Sequence, residues 1–488
     1  MNTPPNIVVI MTDHANAASL RKGSQCIAPN LAALSRDGIQ FKKCYTTNAI
    51  CSPARASLMT GLYPSTHGIW DVTHAYNSDW IDAPQGRFTH FAELLSEKGY
   101  RNGYFGKWHV EQSNRLENFG WHEYDVKTLP LRIPFSPKIN RSGRDTNYPS
   151  GVDFSDEVIV TTEGYPDYLL SATVTGTKTL THPVFDNGLD FIERHIDNNG
   201  PDVPFTCFIS VLEPHDPYLA PEEAMDQYDT ERIGLSPSFD DDLNDKPEIL
   251  QRMREVWSGL DESDWKKVVT SYYASLTSID TEIGRVINLL KEKNLYENTV
   301  IVFTSDHGDM MGAHGLLTKG VATGYEEVYN IPLIIKTPND YCPDTTGDIK
   351  VNTVDIFPTL LDYAGAETPS AIHGKSLLPV INNTHDRTDW TGSYAEFFAQ
   401  RFMYTQRITW EGDWKYIFNP VSRDELYNLT DDPYEINNLA EDPDFGENLK
   451  SMAKQMWRNM EKIGDTTLLE SGYATTRTAP IGPTSRFD

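Results

Sequence analysis

The sequence predicts an α/β fold closed by a small antiparallel C-terminal subdomain. Three observations carry that prediction. Short apolar runs of strand length alternate with amphipathic helical patterns through most of the chain, the rhythm of an α/β protein. Hydrophobic residues make up 39% of 488, enough to bury a sizeable core and to exclude wholesale disorder. After about Asn383 the rhythm changes to closely spaced short strands. The length fits two to four domains, or one large α/β domain with a smaller partner.

Taken in order, Asn6–Met11 reads as a first buried strand, because Ile7–Met11 is continuously apolar. In Cys51–Gly61, Pro53 suits the first turn of a helix and Gly61 its end. Thr89 can cap a helix over His90–Lys98 that stops at Gly99, followed by a strand over Gly99–Tyr104. Phe205–Leu212 is the next strand. Ile279, Ile283, Val286, Ile287 and Leu290 recur at helical spacing and predict a long helix before the strand Thr299–Thr304. Pro332–Lys336 follows as a strand, and Val354–Tyr363 as a helix closed by Gly365. Tyr394–Phe398, Phe402–Trp410 and Trp414–Phe418 are the short strands of the subdomain. Residues about 122–180, rich in Pro, Gly and Thr, and about 219–265, acidic around Asp240–Asp242, interrupt the rhythm. Both read as long insertions over the core, the usual place of lids and mobile segments. The last twenty or so residues are polar and expected to be extended.

With 70 acidic and 42 basic residues, the formal charge is −28 and the pI near 4.8. That excludes broad nucleic-acid binding and docking on anionic membranes, which need basic surfaces. A local basic pocket can still hold an anion inside the acidic envelope. Cys26, Cys44, Cys51, Cys207 and Cys342 are too few and scattered for a disulfide scaffold, and no CxxC pair suggests zinc. No apolar run approaches the roughly 20 residues of a membrane span. The N-terminus lacks a basic region and a signal-length apolar run. A cytoplasmic protein is therefore expected, or a periplasmic or secreted one if a leader has been removed.

In open α/β sheets ligands sit beyond the carboxyl ends of the strands. Here one strand ends in Thr12-Asp13-His14, another in Phe105-Gly106-Lys107-Trp108-His109. A third leads into Glu213-Pro214-His215-Asp216-Pro217, and a fourth into Ser305-Asp306-His307-Gly308-Asp309. Singly, each has a bland reading: Asp13 as a helix cap, His215 as a turn histidine, Lys107 as a solvated cation. Jointly, four strand ends carry groups that bind metal or move protons. Cys51 adds a thiol at the positive end of a helix, where anions are stabilised and thiols acidified.

The run Cys51-Ser52-Pro53-Ala54-Arg55-Ala56-Ser57-Leu58-Met59-Thr60-Gly61 resembles the signature of type I sulfatases, whose Cys in a CxPxR context is oxidised to formylglycine. Gly106–His109, Ser305–Gly308, Lys319 in Leu317-Thr318-Lys319-Gly320, Asp355–Leu361 and Glu425–Leu429 extend the resemblance along nearly the whole chain. It implies an alkaline phosphatase-like fold, a large mixed sheet flanked by helices. The catalytic domain would occupy residues 1–383, and residues 384–488 would form the C-terminal subdomain with its small sheet and tail.

The resemblance also implies roles. Cys51 becomes formylglycine, hydrated to a geminal diol. Asp13, Asp306 and His307, together with residue 51, hold a divalent cation, with His14 a candidate further ligand in place of the acidic residue many sulfatases have there. Ca2+ comes first, with Mn2+ or Zn2+ as alternatives that an imidazole ligand favours. Asp306 accepts the proton of the attacking hydroxyl, His215 protonates the departing alcohol, and His109 takes the proton of the second hydroxyl. Arg55, Lys107 and Lys319 neutralise the diol and sulfuryl oxygens. The expected partners are a sulfate ester, sugar or small alkyl or aryl, and a formylglycine-generating maturation enzyme; oligomeric state stays open. The nearest rival is a phosphonate monoester or phosphodiester hydrolase with the same signature. A two-metal phosphatase would want a Ser or Thr nucleophile, and a catalytically dead binding protein would have lost part of this set.

Overall fold

The computed structural model describes residues 4–73, 88–126, 153–154, 159–161, 168–175, 181–338, 349–384, 390–469 and 478–487. In chain order its strands begin with β1 (Asn6–Thr12), β2 (Ile39–Tyr45), β3 (Arg101–Gly106) and β4 (Glu123–Asp125). Next come β5 (Asp153–Phe154), β6 (Ile159–Thr161), β7 (Tyr168–Thr175), β8 (Phe205–Ser210) and β9 (Tyr218–Pro221). The series continues with β10 (Thr299–Ser305), β11 (Asn330–Lys336) and β12 (Lys350–Asn352). It ends in β13 (Gly392–Ala399), β14 (Met403–Glu411), β15 (Trp414–Phe418) and β16 (Glu425–Asn428).

Eight of these form one mixed sheet in the order β12-β2-β11-β10-β1-β8-β3-β4. Its centre, β10-β1-β8-β3, is parallel, whereas β11 runs antiparallel to both β10 and β2. Every residue of β1 is buried. Ile7, Val9 and Met11 face one core, Val8 and Ile10 the other. A parallel strand covered on both faces has to be continuously apolar, which is why this run was legible. Each such side chain contributes roughly 1.5–3 kcal/mol by leaving water. A separate antiparallel sheet, β13-β14-β15-β16, follows, so the large mixed sheet and the small C-terminal sheet both have the expected form.

Register decides where the chemistry lands. Thr12 is level with Ser305, Met11 with Ser210, and Gly106 with Ser210. Neighbouring strands lie about 4.8 Å apart, so the residues just past these ends are brought side by side. Gly106 sits at φ 97°, and a Cβ there would meet the Ser210 carbonyl oxygen at 2.0 Å. Only glycine permits that approach, which lets the Lys107 amide donate to the same carbonyl at 2.8 Å.

Several boundaries differ from expectation. The strand expected over Gly99–Tyr104 runs Arg101–Gly106, because Gly99 (φ 86°) finishes the preceding turn. That shift puts Lys107 directly at the strand end. The preceding helix spans Phe91–Glu97 with His90, not Thr89, at its cap, since the Glu93 carboxylate accepts the His90 amide at 2.8 Å. The strand expected to reach Leu212 ends at Ser210. The long helix begins far earlier, at Glu262, and runs to Glu292, so the end of the acidic stretch belongs to the core. Most of the stretch 122–180 lies outside the described residues; its described parts include β7, which pairs with β9. Cys342 also lies outside them. The C-terminal part holds an unforeseen helix, Gly446–Ile463, which buries Met452, Met456, Trp457 and Met460 against the small sheet. The end of the tail folds back on it, with the Trp457 indole donating to the Ile481 carbonyl at 2.8 Å, rather than extending away.

Candidate active site

The helix Cys51–Thr60 is buried along its whole length and ends at Gly61, which adopts φ 71°. Cys51 is its first residue. Arg55 stands one turn on, over the same face. Around this N-terminus gather the strand ends: Asp13 and His14 after β1, Lys107 and His109 after β3, His215 after β8, Asp306 and His307 after β10. Lys319 joins them from the loop beyond.

The Cys51 Sγ lies 3.2 Å from His307 Nε2 and 3.5 Å from Asp13 Oδ1. Arg55 donates from Nε to Asp306 Oδ2 at 2.7 Å, and from one terminal nitrogen to the Lys107 carbonyl and Ser210 Oγ, both at 2.8 Å. Its other terminal nitrogen has no hydrogen-bond partner among the described residues and lies 3.8 Å from Asp13 Oδ2. Lys107 Nζ pairs with Asp13. His307 Nε2 is 3.5 Å from Asp13 and 3.7 Å from Asp306. Lys319 Nζ contacts His14 Nε2 and lies 3.4 Å from His215 Nε2. His109 shares a hydrogen bond with Cys51, so all ten residues singled out in the sequence cluster around this one helix end.

The electrostatics follow from this packing. Burial raises the Asp13 carboxyl, but Lys107, His215, His14 and Arg55 outweigh it and hold it well below the usual range. Burial and then the Asp13 charge raise Asp306. The Cys51 thiol is pushed up by burial and by Asp13, yet Lys107, Lys319 and His307 bring it well below its ordinary value. These cations favour the thiolate form. Burial drives His109 down to about 4, so it is neutral near pH 7 and able to accept a proton.

Donor chemistry fits a divalent cation. The ligand atoms of Asp13, Cys51, Asp306 and His307 all lie within 4.8 Å of one another. Two carboxylates, an imidazole and a thiol form a mixed oxygen, nitrogen and sulfur donor set of the kind that holds a divalent ion. His14 is not among these four; it groups instead with Asp13 and His215.

Three neighbours escaped the sequence reading. Asp309, wholly buried, accepts from Tyr218 Oη at 2.8 Å and meets His14 Nδ1 at 2.7 Å; Ser210 anchors Arg55. Asp309 stood in the strand-end segment already singled out, but nothing local revealed its partners.

The sulfatase family model matches residues 5–366. The chain belongs to the sulfatase family. It is therefore an enzyme that hydrolyses sulfuric esters. A second model, N-sulphoglucosamine sulphohydrolase, C-terminal, matches residues 312–462 of this sulfatase. It is 29% identical over 465 residues to the uncharacterized sulfatase YidJ of Escherichia coli K12, covering 94% of this chain and 88% of that protein. Its fold is similar to that of BT4656 solved in complex with its substrate D-glucosamine-2-N,6-O-disulfate (TM-score 0.73, 21% identity, 95% and 98% of the two chains). It is equally similar to a phosphonate monoester hydrolase from Silicibacter pomeroyi (TM-score 0.74, 22% identity, 95% and 96%). No helix among the described residues of this sulfatase is long and apolar enough to cross a membrane.

Proposed function

We propose that this sulfatase removes sulfate from a sulfated saccharide, using a formylglycine made from Cys51 and a divalent cation, with Ca2+ the first candidate. The observation that carries the reading is the placement of Cys51, at the start of a buried helix and 3.2 Å from His307, with Arg55 one turn behind it. Asp13, Asp306, His307 and residue 51 would hold the cation, which when bound acidifies a hydroxyl and offsets anionic charge. Oxidised and hydrated, residue 51 supplies two hydroxyls on one carbon, one to attack sulfur and one whose deprotonation releases sulfate. Asp306 and His109 are the proton acceptors at those hydroxyls. His215, 3.4 Å from Lys319 Nζ, is the donor to the departing alkoxide. Lys107, Lys319 and the second terminal nitrogen of Arg55 face the sulfuryl oxygens and neutralise them.

The sugar assignment is supported by the C-terminal match to the N-sulphoglucosamine sulphohydrolase family and by the disulfated glucosamine bound to one neighbour. Residues 1–383 would carry the chemistry, residues 384–488 the subdomain that shapes the substrate end, and a maturation enzyme would oxidise Cys51. The second reading, phosphonate monoester or phosphodiester hydrolysis, is favoured by the phosphonate hydrolase neighbour. One preparation, co-expressed with a formylglycine-generating enzyme, is to be assayed on sulfated mono- and disaccharides, nitrophenyl sulfate, a phosphonate monoester and a phosphodiester. Mass analysis of the residue 51 peptide accompanies the assay. The reading requires an aldehyde or its hydrate at residue 51 and preference for a sulfated sugar. Higher kcat/KM on the phosphonate, or full turnover with wholly unmodified Cys51, overturns it.

A further inference from the structure

His14 follows the metal-site carboxylate Asp13, and its position suggests a ligand. Its hydrogen bonds lead elsewhere. Nδ1 lies 2.7 Å from Asp309 Oδ2, and Nε2 contacts Lys319 Nζ. Asp309 also accepts from Tyr218 Oη at 2.8 Å on Oδ2, and from the amides of Met311 at 3.0 Å and Thr318 at 2.9 Å on Oδ1. A carboxylate oxygen accepts, so His14 Nδ1 carries the proton and donates it in a hydrogen bond to Asp309 Oδ2. An ammonium has only protons to give, so Nε2 keeps its lone pair for Lys319. The network thus assigns the tautomer and occupies both ring nitrogens, leaving none for a cation.

Distances agree with that assignment. Ligands of one Ca2+ at about 2.3–2.6 Å cannot stand more than about 5 Å apart. Asp13, Cys51, Asp306 and His307 meet that limit together; His14, whose Nε2 is 3.8 Å from Asp13 Oδ1, meets it with Asp13 and His215 but is not part of the four-residue group around Cys51. Its ring is wedged between His215, with centroids 4.1 Å apart, and His307, at 4.7 Å. The backbone there is left-handed (φ 73°), and its carbonyl is fixed by the Tyr272 hydroxyl at 2.8 Å. A side chain held in so uncommon a conformation by several partners is aimed, not incidental.

We propose that His14 is a positioning residue and not a metal ligand: the brace Tyr218–Asp309–His14 holds the Lys319 ammonium beside His215, where the sulfuryl group binds. Asp309 is then part of the anion site, although it touches neither anion nor metal. The proposal rests on reading this pocket as a sulfate ester site.

The test uses His14→Phe, His14→Gln and Asp309→Asn with the wild type as reference. Ca2+ is titrated calorimetrically into each protein, and KM, kcat and inhibition by inorganic sulfate are measured at saturating Ca2+. The brace requires that His14→Phe and Asp309→Asn bind one Ca2+ with Kd within about threefold of wild type. KM and the sulfate inhibition constant should both rise about 10–100-fold, the loss of one charge-assisted contact, with kcat changing less. His14→Gln, which can present an amide oxygen to Lys319, should recover part of that loss. A Ca2+ affinity weakened more than about tenfold in His14→Phe makes His14 a ligand and overturns the proposal. Unchanged sulfate inhibition in both His14→Phe and Asp309→Asn overturns it too. If His14→Phe fails to fold, Asp309→Asn alone decides, because it removes the brace and leaves His14 in place. A wild type that binds Ca2+ but turns over phosphonates instead of sulfates defeats the functional reading. The same series then runs with a phosphonate anion, and the Ca2+ arm still decides the role of His14.

Discussion

Arg55→Lys separates charge from geometry at the centre of the site. Arg55 is fully buried, and its fork ties three strand ends to the Cys51 helix: Asp306 after β10, the Lys107 carbonyl after β3, and Ser210 at the end of β8. Lysine keeps the positive charge and can stay paired with Asp306. Its single ammonium cannot also reach the other two acceptors in the fork geometry. Ser210 Oγ then loses the Arg55 partner, at about 1–3 kcal/mol, and the Lys107 carbonyl, which keeps the Tyr104 hydroxyl, loses one of two bonds, at about 0.5–1.5 kcal/mol, for a total of about 1.5–4.5 kcal/mol. Unfolding entropy of about 2.1 cal/mol/K per residue over 488 residues comes to about 1 kcal/mol/K. Scanning calorimetry should therefore show Tm lower by only about 1.5–4.5 °C, a folded protein. Activity should suffer more. The released Lys107 segment carries both Lys107 and His109, and displacement by about 1 Å can cost about 100-fold in kcat/KM. Arg55→Ala, which strands Asp306 as well, should destabilise by a further 3–5 kcal/mol or so. If Arg55→Lys kept its Tm within about 1 °C and its kcat/KM within about threefold of wild type, charge alone would suffice and the fork argument would be wrong.

Dialysis against a chelator should abolish turnover, and Ca2+ should restore it; full activity of metal-free enzyme would remove the metal assignment. Asp306→Ala should behave like the chelated protein, because Asp306 is one of the four clustered residues proposed to hold the cation. His215→Ala should impair sulfates with poor leaving groups most and nitrophenyl sulfate least; a loss independent of leaving-group pKa would place His215 in sulfate binding instead. Glu396 joins the small sheet to the segment after the Cys51 helix, its oxygens accepting the Ser65 amide and hydroxyl at 2.7 Å each. Burial, reinforced by Asp465, raises it from 4.5 to about 8. The protonated form is favoured by folding, so its stabilisation is complete below pH 4.5 or so and is lost as pH rises through about 8. Glu396→Gln keeps the shape without the titration and should be more stable than wild type at pH 9, by up to about 4 kcal/mol, with little difference at pH 5. Parallel Tm–pH curves for the two proteins would exclude this carboxylate as the source.

What the sequence determined by itself was whatever local pattern encodes. β1 and β10 were readable because buried parallel strands must be apolar throughout, and the Cys51 helix because Pro53 and Gly61 mark its first turn and its stop. Nine of the ten candidate residues were legible because they follow strand ends or sit in the CxPxR run, and Lys319 only through the resemblance. Where local signals competed, reading failed: the helix Gly446–Ile463 has apolar residues at Met452, Met456 and Met460, but they are diluted by a polar surrounding stretch. The partners of each site residue were decided only by tertiary structure. Strand register places Thr12 level with Ser305 and Gly106 level with Ser210, and so sets Asp13, Lys107 and Asp306 around one helix end. His14 meets Asp309 across 295 residues of sequence, and that one hydrogen bond separates a bracing imidazole from a metal ligand. A side chain's identity is local, but its free lone pair depends on which donors and acceptors the fold has already spent on it.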